Sequence, residues 1–230
     1  MGDVAANWQA VQGRIVKAAA RAGRDFQGIR VIAVSKTVPG ERIQEAIEAG
    51  VTDVGENRVQ EARQKIEVLG RGCRWHMIGH LQHNKVKYIF DLFDVVHSVD
   101  SVGLAQAIDR EGRKRSRTME VLIQVKLGEE ETKSGLEPSE LLIALEEMAL
   151  LPFLSIRGLM VIPPFSSHPE ESRPFFRQLR QMREEIMSRG IRGISLEELS
   201  MGMSHDFEVA VEEGATMVRI GTAIFGPRTL

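Results

Sequence analysis

The chain has 230 residues, of which 43% are hydrophobic and 27% charged, and a formal net charge of −2 at pH 7. This composition is typical of an ordinary globular protein, and the small net charge provides no overall field for nucleic acid or an anionic membrane surface. The single cysteine, Cys73, excludes an internal disulfide framework and a cysteine metal cluster, and the histidines show no metal-ligand spacing.

The N-terminal segment predicts a helix rather than a signal peptide. Its first residues lack a basic region followed by an apolar core, and no apolar run along the chain is long enough to span a bilayer. Within residues 1–24, Trp8, Val11 and Ile15 recur at helical spacing, which indicates an amphipathic helix. We therefore expect a cytoplasmic protein that begins with a helix.

From residue 29 onward, strand-like apolar runs alternate with helical patterns. The predicted strands cover residues 29–36, 51–57, 73–79, 92–99, 119–127, 155–162, 196–202 and 216–221. The predicted helices between them cover residues 41–50, 58–70, 81–90, 101–115, 140–151, 169–190 and 205–214. Several strands are apolar on both faces, which indicates a parallel sheet covered by helices. Eight strands in a chain of this length favour a closed TIM (β/α)8 barrel, an α/β fold.

No composition break or linker divides the chain, so we expect a single TIM-barrel domain over residues 1–230. Its N-terminal helix lies within residues 1–24 and its barrel within residues 30–228. After Gly221 only TAIFGPRTL remains, which is too short for a full eighth helix. The N-terminal helix is therefore expected to supply part of the missing cover.

Two neighbouring strand ends near the C-terminus carry small and hydroxylic residues. Ser200, Gly202 and Ser204 follow the seventh strand, and Gly221 and Thr222 follow the eighth. In a TIM barrel the loops after these strands commonly bind phosphate, because they present hydroxyls and backbone N–H groups. The pattern predicts a site for a small phosphorylated ligand. Ser204 is also a candidate N-cap for the helix over residues 205–213, a role compatible with phosphate binding.

Two cations at strand ends are candidates for the chemistry. Lys36 ends the first strand, where burial and nearby positive charge would favour the neutral amine that forms an imine with an aldehyde. The alternative is a lysine whose stem packs on the rim while its ammonium group reaches water. Arg219 interrupts an apolar strand and therefore requires a partner, either a structural carboxylate or a ligand. Pyridoxal 5′-phosphate is a phosphorylated aldehyde that would suit both features. Its phosphate would bind the loops after the seventh and eighth strands, and its aldehyde would react with Lys36.

Several motifs in order give the chain a resemblance to a known family. AVSKTV, GENRVQEA, WHMIGHLQHNKVKYI, HSVDS, ETKSG, GLMVIPP, LSMGMSHDFEVAVEEG and VRIGTAIFG resemble the pyridoxal phosphate homeostasis proteins, which are similar to the N-terminal barrel of alanine racemase. The resemblance extends from about Val31 to Arg228.

The resemblance implies a set of cofactor contacts. It implies a Schiff base between Lys36 and pyridoxal 5′-phosphate, Asn57 beside the ring and Arg219 near the pyridine nitrogen. It further implies that Ser200, Ser204, Gly221 and Thr222 surround the phosphate. One departure is Lys126, where the family pattern leads us to expect asparagine.

The resemblance also implies a role in vitamin B6 and amino-acid homeostasis without established catalysis. Such proteins are mostly cytoplasmic monomers, and apoenzymes that accept the cofactor are candidate partners. The rival hypothesis is an amino-acid racemase, which would need a second base opposite the lysine. Tyr88, the only tyrosine, falls within a predicted helix away from the strand ends. A phosphate-sugar isomerase with Glu56 as its base is a third hypothesis.

Overall fold

The computed structural model of the chain describes residues 3–128 and 134–227. Eight parallel strands lie in chain order around a closed barrel, and the eighth pairs with the first. The strands are Arg30–Val34 (β1), Asp53–Glu56 (β2), Arg74–Met77 (β3), Val95–Val99 (β4), Met119–Gln124 (β5), Leu154–Met160 (β6), Ile194–Met203 (β7) and Met217–Ile220 (β8). The predicted TIM barrel is confirmed.

Helices cover the outside of the barrel. They are Val4–Arg21 (α1), Gly40–Glu48 (α2), Val59–Leu69 (α3), Val86–Leu92 (α4), Val102–Arg115 (α5), Leu141–Met148 (α6), Arg173–Ser188 (α7), Phe207–Glu212 (α8) and Thr222–Phe225 (α9). The predicted helix over residues 169–190 begins instead as a 3-10 turn at Pro169–Ser172, and α4 is preceded by a similar turn at His83–Lys85. In the described part of the chain, no helix has the length and apolar character needed to cross a membrane.

The N-terminal helix closes the side of the barrel that the short C-terminal helix leaves open. The Asp3 carboxylate caps α1 by accepting the N–H groups of Ala5 and Ala6. Helix α1 packs against α8, α9 and α2, and Asn7 Nδ2 donates to the carbonyl of Ile224 at 2.9 Å. This confirms the expectation that the N-terminal helix covers part of the barrel where a full eighth helix is missing.

The apolar core has two parts. The larger cluster fills the layer between the barrel and the helices, whereas a small one lies inside the barrel and contains Ile32, Leu122, Met160 and Met217. The predicted end of the barrel at Arg228 and residues 131–133 of the ETKSG motif lie outside the described residues.

Candidate functional site

A cavity of about 370 Å³ lies at the C-terminal ends of the strands. Functional sites of TIM barrels are found at this end. Six of the predicted site residues line this cavity: Lys36, Asn57, Ser204, Arg219, Gly221 and Thr222. A larger cavity of about 690 Å³ lies at the opposite end of the barrel, beneath α1. The cavity at the C-terminal ends of the strands is called the upper cavity, and the six predicted residues are among the sixteen described residues that line it.

Lys36 reaches the cavity because of the alternation of side chains along β1. Ser35 is buried, and its hydroxyl donates to Glu56 Oε1 at 2.5 Å, in the layer outside the barrel. Since successive side chains of an extended chain point to opposite faces, Lys36 points toward the barrel mouth. Thr37, the next residue, has a φ of 63° in the left-handed region, which turns the chain sharply after the lysine.

A cluster around Lys65 holds this turn in place from behind. Lys65 Nζ donates to the Ser35 carbonyl, Glu56 Oε1 and Glu61 Oε1, each at 2.6 Å. The N–H of Thr37 also donates to Glu61 Oε1, at 2.6 Å. The residues on both sides of Lys36 are therefore fixed by one ammonium group and one carboxylate of α3.

Glu56 belongs to this cluster and not to the cavity wall. Its side chain is fully buried, and burial raises the pKa of its carboxyl group against the opposing effect of Lys65. Because its Oε1 already bonds Ser35 and Lys65 behind the strand, the expectation that Glu56 could act as a base facing the phosphate loops is wrong.

Arg219 lies at the base of the cavity with only 4% of its surface exposed. Its Nη1 donates to Ser200 Oγ at 2.6 Å and its Nη2 to the Val161 carbonyl at 2.8 Å. Burial lowers the pKa of the guanidinium to about 10, while the nearby Asp206 carboxylate acts in the opposite direction. The side chain therefore stays cationic near neutral pH, and its hydrogen-bond partners are a serine hydroxyl and a backbone carbonyl, where the sequence predicted a carboxylate or a ligand.

Ser200 and Gly202 are not among the residues that line the cavity. Ser200 is fully buried, and its hydroxyl contacts Arg219 and His97. Gly202 has a φ of 89°, and a Cβ there would lie 2.5 Å from Ala210 Cβ. Gly202 is thus needed for the close approach of β7 to α8, which brings Ser204 to the cavity.

Ser204 connects the loops that follow β7 and β8. Its Oγ accepts the N–H of Gly221 at 3.0 Å and that of Ala223 at 3.4 Å. The N-cap position of α8 is occupied by Asp206 instead, so the expectation that Ser204 caps its own helix is wrong. The two loops predicted to form a phosphate cradle are nevertheless joined by a direct contact.

Asp206 is a site residue that the sequence patterns did not identify. It is almost fully buried, and its carboxylate accepts the Met203 N–H at 2.6 Å and the Ser172 hydroxyl at 2.9 Å. It lines the cavity together with His205 and acts electrostatically on Arg219. The signal available in the sequence was an acidic residue just before a helix, which is too common to indicate a site.

Two other residues of interest lie away from the cavity wall. Lys126 pairs with Glu137 at 2.9 Å in the segment that follows β5, so its ammonium group is engaged there. Tyr88 lies on α4 and is 36% exposed. Neither residue lines the cavity. Within the described ranges, His, Cys, Asp and Glu side chains form no cluster that could hold a metal ion.

Sequence comparison connects the whole chain to known proteins. The family model for the N-terminal domain of alanine racemase matches residues 4–229. The pyridoxal phosphate homeostasis protein of Aquifex aeolicus is 48% identical over 216 residues, which cover 94% of this chain and 94% of that protein. The residues matched by the family model include every residue that lines the cavity.

Structural comparison gives neighbours of the same fold. PipY of Synechococcus elongatus, solved with pyridoxal phosphate bound, has a TM-score of 0.82 and 39% identity, and the alignment covers 93% of this chain and all of that one. Alanine racemase of Clostridium difficile has a TM-score of 0.74 at 15% identity, and the alignment covers 99% of this chain but only 56% of that one. The second likeness concerns the barrel alone.

Proposed function

The chain belongs to the family of pyridoxal phosphate homeostasis proteins, and on this premise we propose that it binds pyridoxal 5′-phosphate through a Schiff base on Lys36. The observation that carries the proposal is the shared cavity. It brings Lys36, a buried arginine and the two loops after β7 and β8 around one space. Its volume of about 370 Å³ lies within the usual range for small-ligand sites, about 300–1,000 Å³.

The residues present fit the three parts of this cofactor. Lys36 supplies an amine for the aldehyde, and Asn57 lies on the wall beside it. Ser204, Gly221 and Thr222 supply hydroxyl and backbone N–H groups for the phosphate. We assign Ser200 and Gly202 a supporting role, because Ser200 bonds Arg219 and Gly202 shapes the turn toward Ser204.

Arg219 would face the pyridine nitrogen. When bound, the cofactor supplies an aldehyde for imine formation, together with an electron sink when its ring nitrogen is protonated. A guanidinium has donors but no acceptor and retains its own protons, so it would keep that nitrogen unprotonated. This arrangement favours holding and releasing the cofactor over carbanion chemistry.

The two side chains considered as alternative bases, Tyr88 and Glu56, do not line the cavity. Tyr88 is on α4, and Glu56 is engaged behind β1 by Ser35 and Lys65. We therefore propose a non-catalytic role in intracellular vitamin B6 and amino-acid homeostasis. A protein that binds the cofactor without transforming it could pass it to apoenzymes. A cytoplasmic monomer would suit that role.

The covalent anchor can be tested by absorbance and mass spectrometry. Purified protein mixed with pyridoxal phosphate is reduced with borohydride, digested and mapped, with Lys36→Ala beside wild type. Lys126→Ala is the matched control, because that lysine lies near the barrel mouth but pairs with Glu137. We expect a visible band and a reduced adduct on Lys36 in wild type and control, and loss of both in Lys36→Ala. An adduct on another lysine of the wild type would contradict the assignment.

The functional role has its own tests. Loaded protein is incubated with L-alanine, and we expect no D-alanine; its formation would favour the racemase. Loaded protein is also mixed with an aminotransferase apoenzyme, and we expect its activity to be restored. Light scattering should give the mass of one chain. Failure to restore any apoenzyme would leave cofactor binding intact but remove the delivery role.

A further inference from the structure

The inside of the barrel contains a continuous row of polar side chains. One part of the interior is apolar, as is usual for this fold, where branched side chains fill the layers. The rest contains Asp53, His76, His97, Ser200 and Arg219, each no more than 4% exposed. Burying a polar group costs free energy unless the group is hydrogen-bonded, so each of these five side chains needs a hydrogen-bond partner inside the barrel.

The five side chains form one hydrogen-bonded chain across the barrel. Arg219 Nη1 lies 2.6 Å from Ser200 Oγ, and Ser200 Oγ lies 2.9 Å from His97 Nδ1. His97 Nε2 lies 2.9 Å from His76 Nδ1, and His76 Nε2 lies 2.9 Å from Asp53 Oδ1. The chain crosses strands β2, β3, β4, β7 and β8. It joins the base of the upper cavity to the cavity at the opposite end, which Asp53 and Arg30 line.

The two ends of the chain, together with neutral histidines between them, fix the direction of every bond. Arg219 can only donate, so Ser200 Oγ accepts from it. Burial raises the pKa of Asp53, but the hydrogen bonds from His76 and Thr52 together with the charge of Arg30 outweigh it and leave that pKa lowered. The Asp53 carboxylate therefore only accepts, and His76 donates from Nε2. A neutral His76 then accepts at Nδ1 from His97 Nε2–H, and His97 accepts at Nδ1 from the Ser200 hydroxyl.

We propose that Asp53, His76, His97 and Ser200 are positioning residues that hold the Arg219 guanidinium at the base of the cavity through a one-way chain of donors. The chain requires both histidines to be neutral with hydrogen on Nε2. The Ser200 hydroxyl donates to His97, so its oxygen accepts from Arg219 and the side chain does not point toward a ligand. The part of this inference that concerns the cofactor depends on the proposed function; the direction of the chain does not.

Electrostatics agree with this arrangement. Burial lowers the pKa of His97 well below its ordinary value, and His76, Arg219, Arg30 and Arg74 add to the effect. Burial also lowers the pKa of His76, although the Asp53 carboxylate opposes it. Protonation of His97 would place a second positive charge beside Arg219. The neutral forms that the bonding pattern requires are therefore the forms that the surroundings favour.

The first test is nitrogen-15 NMR of the histidines in the cofactor-free protein. Signals of His76 and His97 are identified by their loss in single substitutions. We expect both rings in the Nε2–H form, each titrating at a lower pH than an exposed histidine, which titrates near pH 6.5. Hydrogen on Nδ1 of either ring, or titration at an ordinary pKa, would overturn the direction of the chain. The result stands whether or not the protein binds pyridoxal phosphate.

The second test compares two substitutions of His97. Glutamine retains one acceptor and one donor, whereas leucine has neither. In His97→Leu we expect about tenfold weaker binding of pyridoxal phosphate and a shifted absorbance maximum, because the Ser200 hydroxyl would lose its acceptor and Arg219 would be held less firmly. His97→Gln should remain within about threefold of wild type. His83→Asn, at an exposed histidine, is the control.

The outcomes distinguish a role in positioning Arg219 from a role in folding alone. If His97→Leu folds and binds the cofactor with wild-type affinity and spectrum, Arg219 is not held by the chain and the proposal fails. If His97→Leu does not fold, Ser200→Ala provides the same comparison at the next link. If wild type binds no pyridoxal phosphate, the proposed function fails while the NMR result still decides the chain.

Discussion

Lys65 has three acceptors for its one ammonium group, and two of them are carboxylates. Its side chain is 11% exposed and that of Glu56 is fully buried. Removing one partner of a buried ion pair costs about 3–5 kcal/mol, because the remaining charge keeps its desolvation penalty. At the scale of single residues, this cluster is the part of the site that most depends on complete pairing.

We expect Lys65→Met to lower the free energy of unfolding by about 3 kcal/mol. The double variant Lys65→Met, Glu56→Gln should recover part of this loss, since glutamine is uncharged and still accepts from Ser35. Urea denaturation followed by circular dichroism measures both. Arg63→Met is the control on the same helix, because its pair with Glu67 is exposed on both sides and should contribute less than about 1 kcal/mol. Equal losses in Lys65→Met and Arg63→Met would contradict this account.

At the scale of elements, the joint between β7 and α8 depends on Gly202. An alanine there would adopt a φ of 89° and place its Cβ 2.5 Å from Ala210 Cβ and 3.0 Å from Phe207 Cα. Backbone strain and overpacking each cost about 1–3 kcal/mol. We expect Gly202→Ala to destabilise the protein by at least about 2 kcal/mol and to weaken cofactor binding, as measured by urea denaturation and absorbance titration.

Two further variants separate the causes of this loss. Adding Ala210→Gly removes the closest contact and should recover part of the stability, though not the backbone strain. Gly13→Ala lies in α1 with open space around it, and it should stabilise the protein by about 0.5–1 kcal/mol. A tolerated Gly202→Ala would mean that β7 can bend differently.

The docking of α1 gives another prediction at this scale. Trp8 is 6% exposed and belongs to the main core, whereas Val16 on the same helix is 40% exposed. We expect Trp8→Ala to cost about 3–5 kcal/mol, because it removes a large buried aromatic side chain. Val16→Ala should cost less than about 1 kcal/mol. If thermal or urea denaturation gives similar values for the two variants, α1 does not complete the cover of the barrel.

The elements were predictable from sequence to a greater extent than the contacts inside the barrel. Short apolar runs alternating with helical patterns located all eight strands, because several of the strands bury apolar side chains on both faces. The chain through His76 and His97 was not predicted, since a histidine in one strand gives no indication of which residue of another strand it meets. Only closure of the barrel places the Ser200 hydroxyl beside His97, which is 103 residues away in sequence.

At the scale of the whole molecule, the polar chain makes stability depend on pH. His76 and His97 are buried with lowered pKa values, whereas in the unfolded chain a histidine titrates near pH 6.5. Below that pH the unfolded state binds more protons than the native state, so stability falls as pH falls from about 6.5 toward the native pKa values. Each histidine then contributes a loss that approaches about 1.4 kcal/mol per pH unit.

We therefore expect the free energy of unfolding, measured in urea, to fall as the pH is lowered from 7.5 to 5.5, with a slope that cannot exceed about 1.4 kcal/mol per pH unit for each of the two residues. Carboxyl groups also respond to pH, and Glu56, with its raised pKa, acts in the opposite direction. The comparison with His97→Gln removes these shared contributions, so the slope in the variant should decrease by about half of the histidine part. His83→Asn, at an exposed histidine, is the control variant. If the free energy of unfolding has the same slope against pH in wild type and His97→Gln, His97 titrates alike in the folded and unfolded states. The barrel interior then does not hold His97 in the neutral form that the donor chain requires.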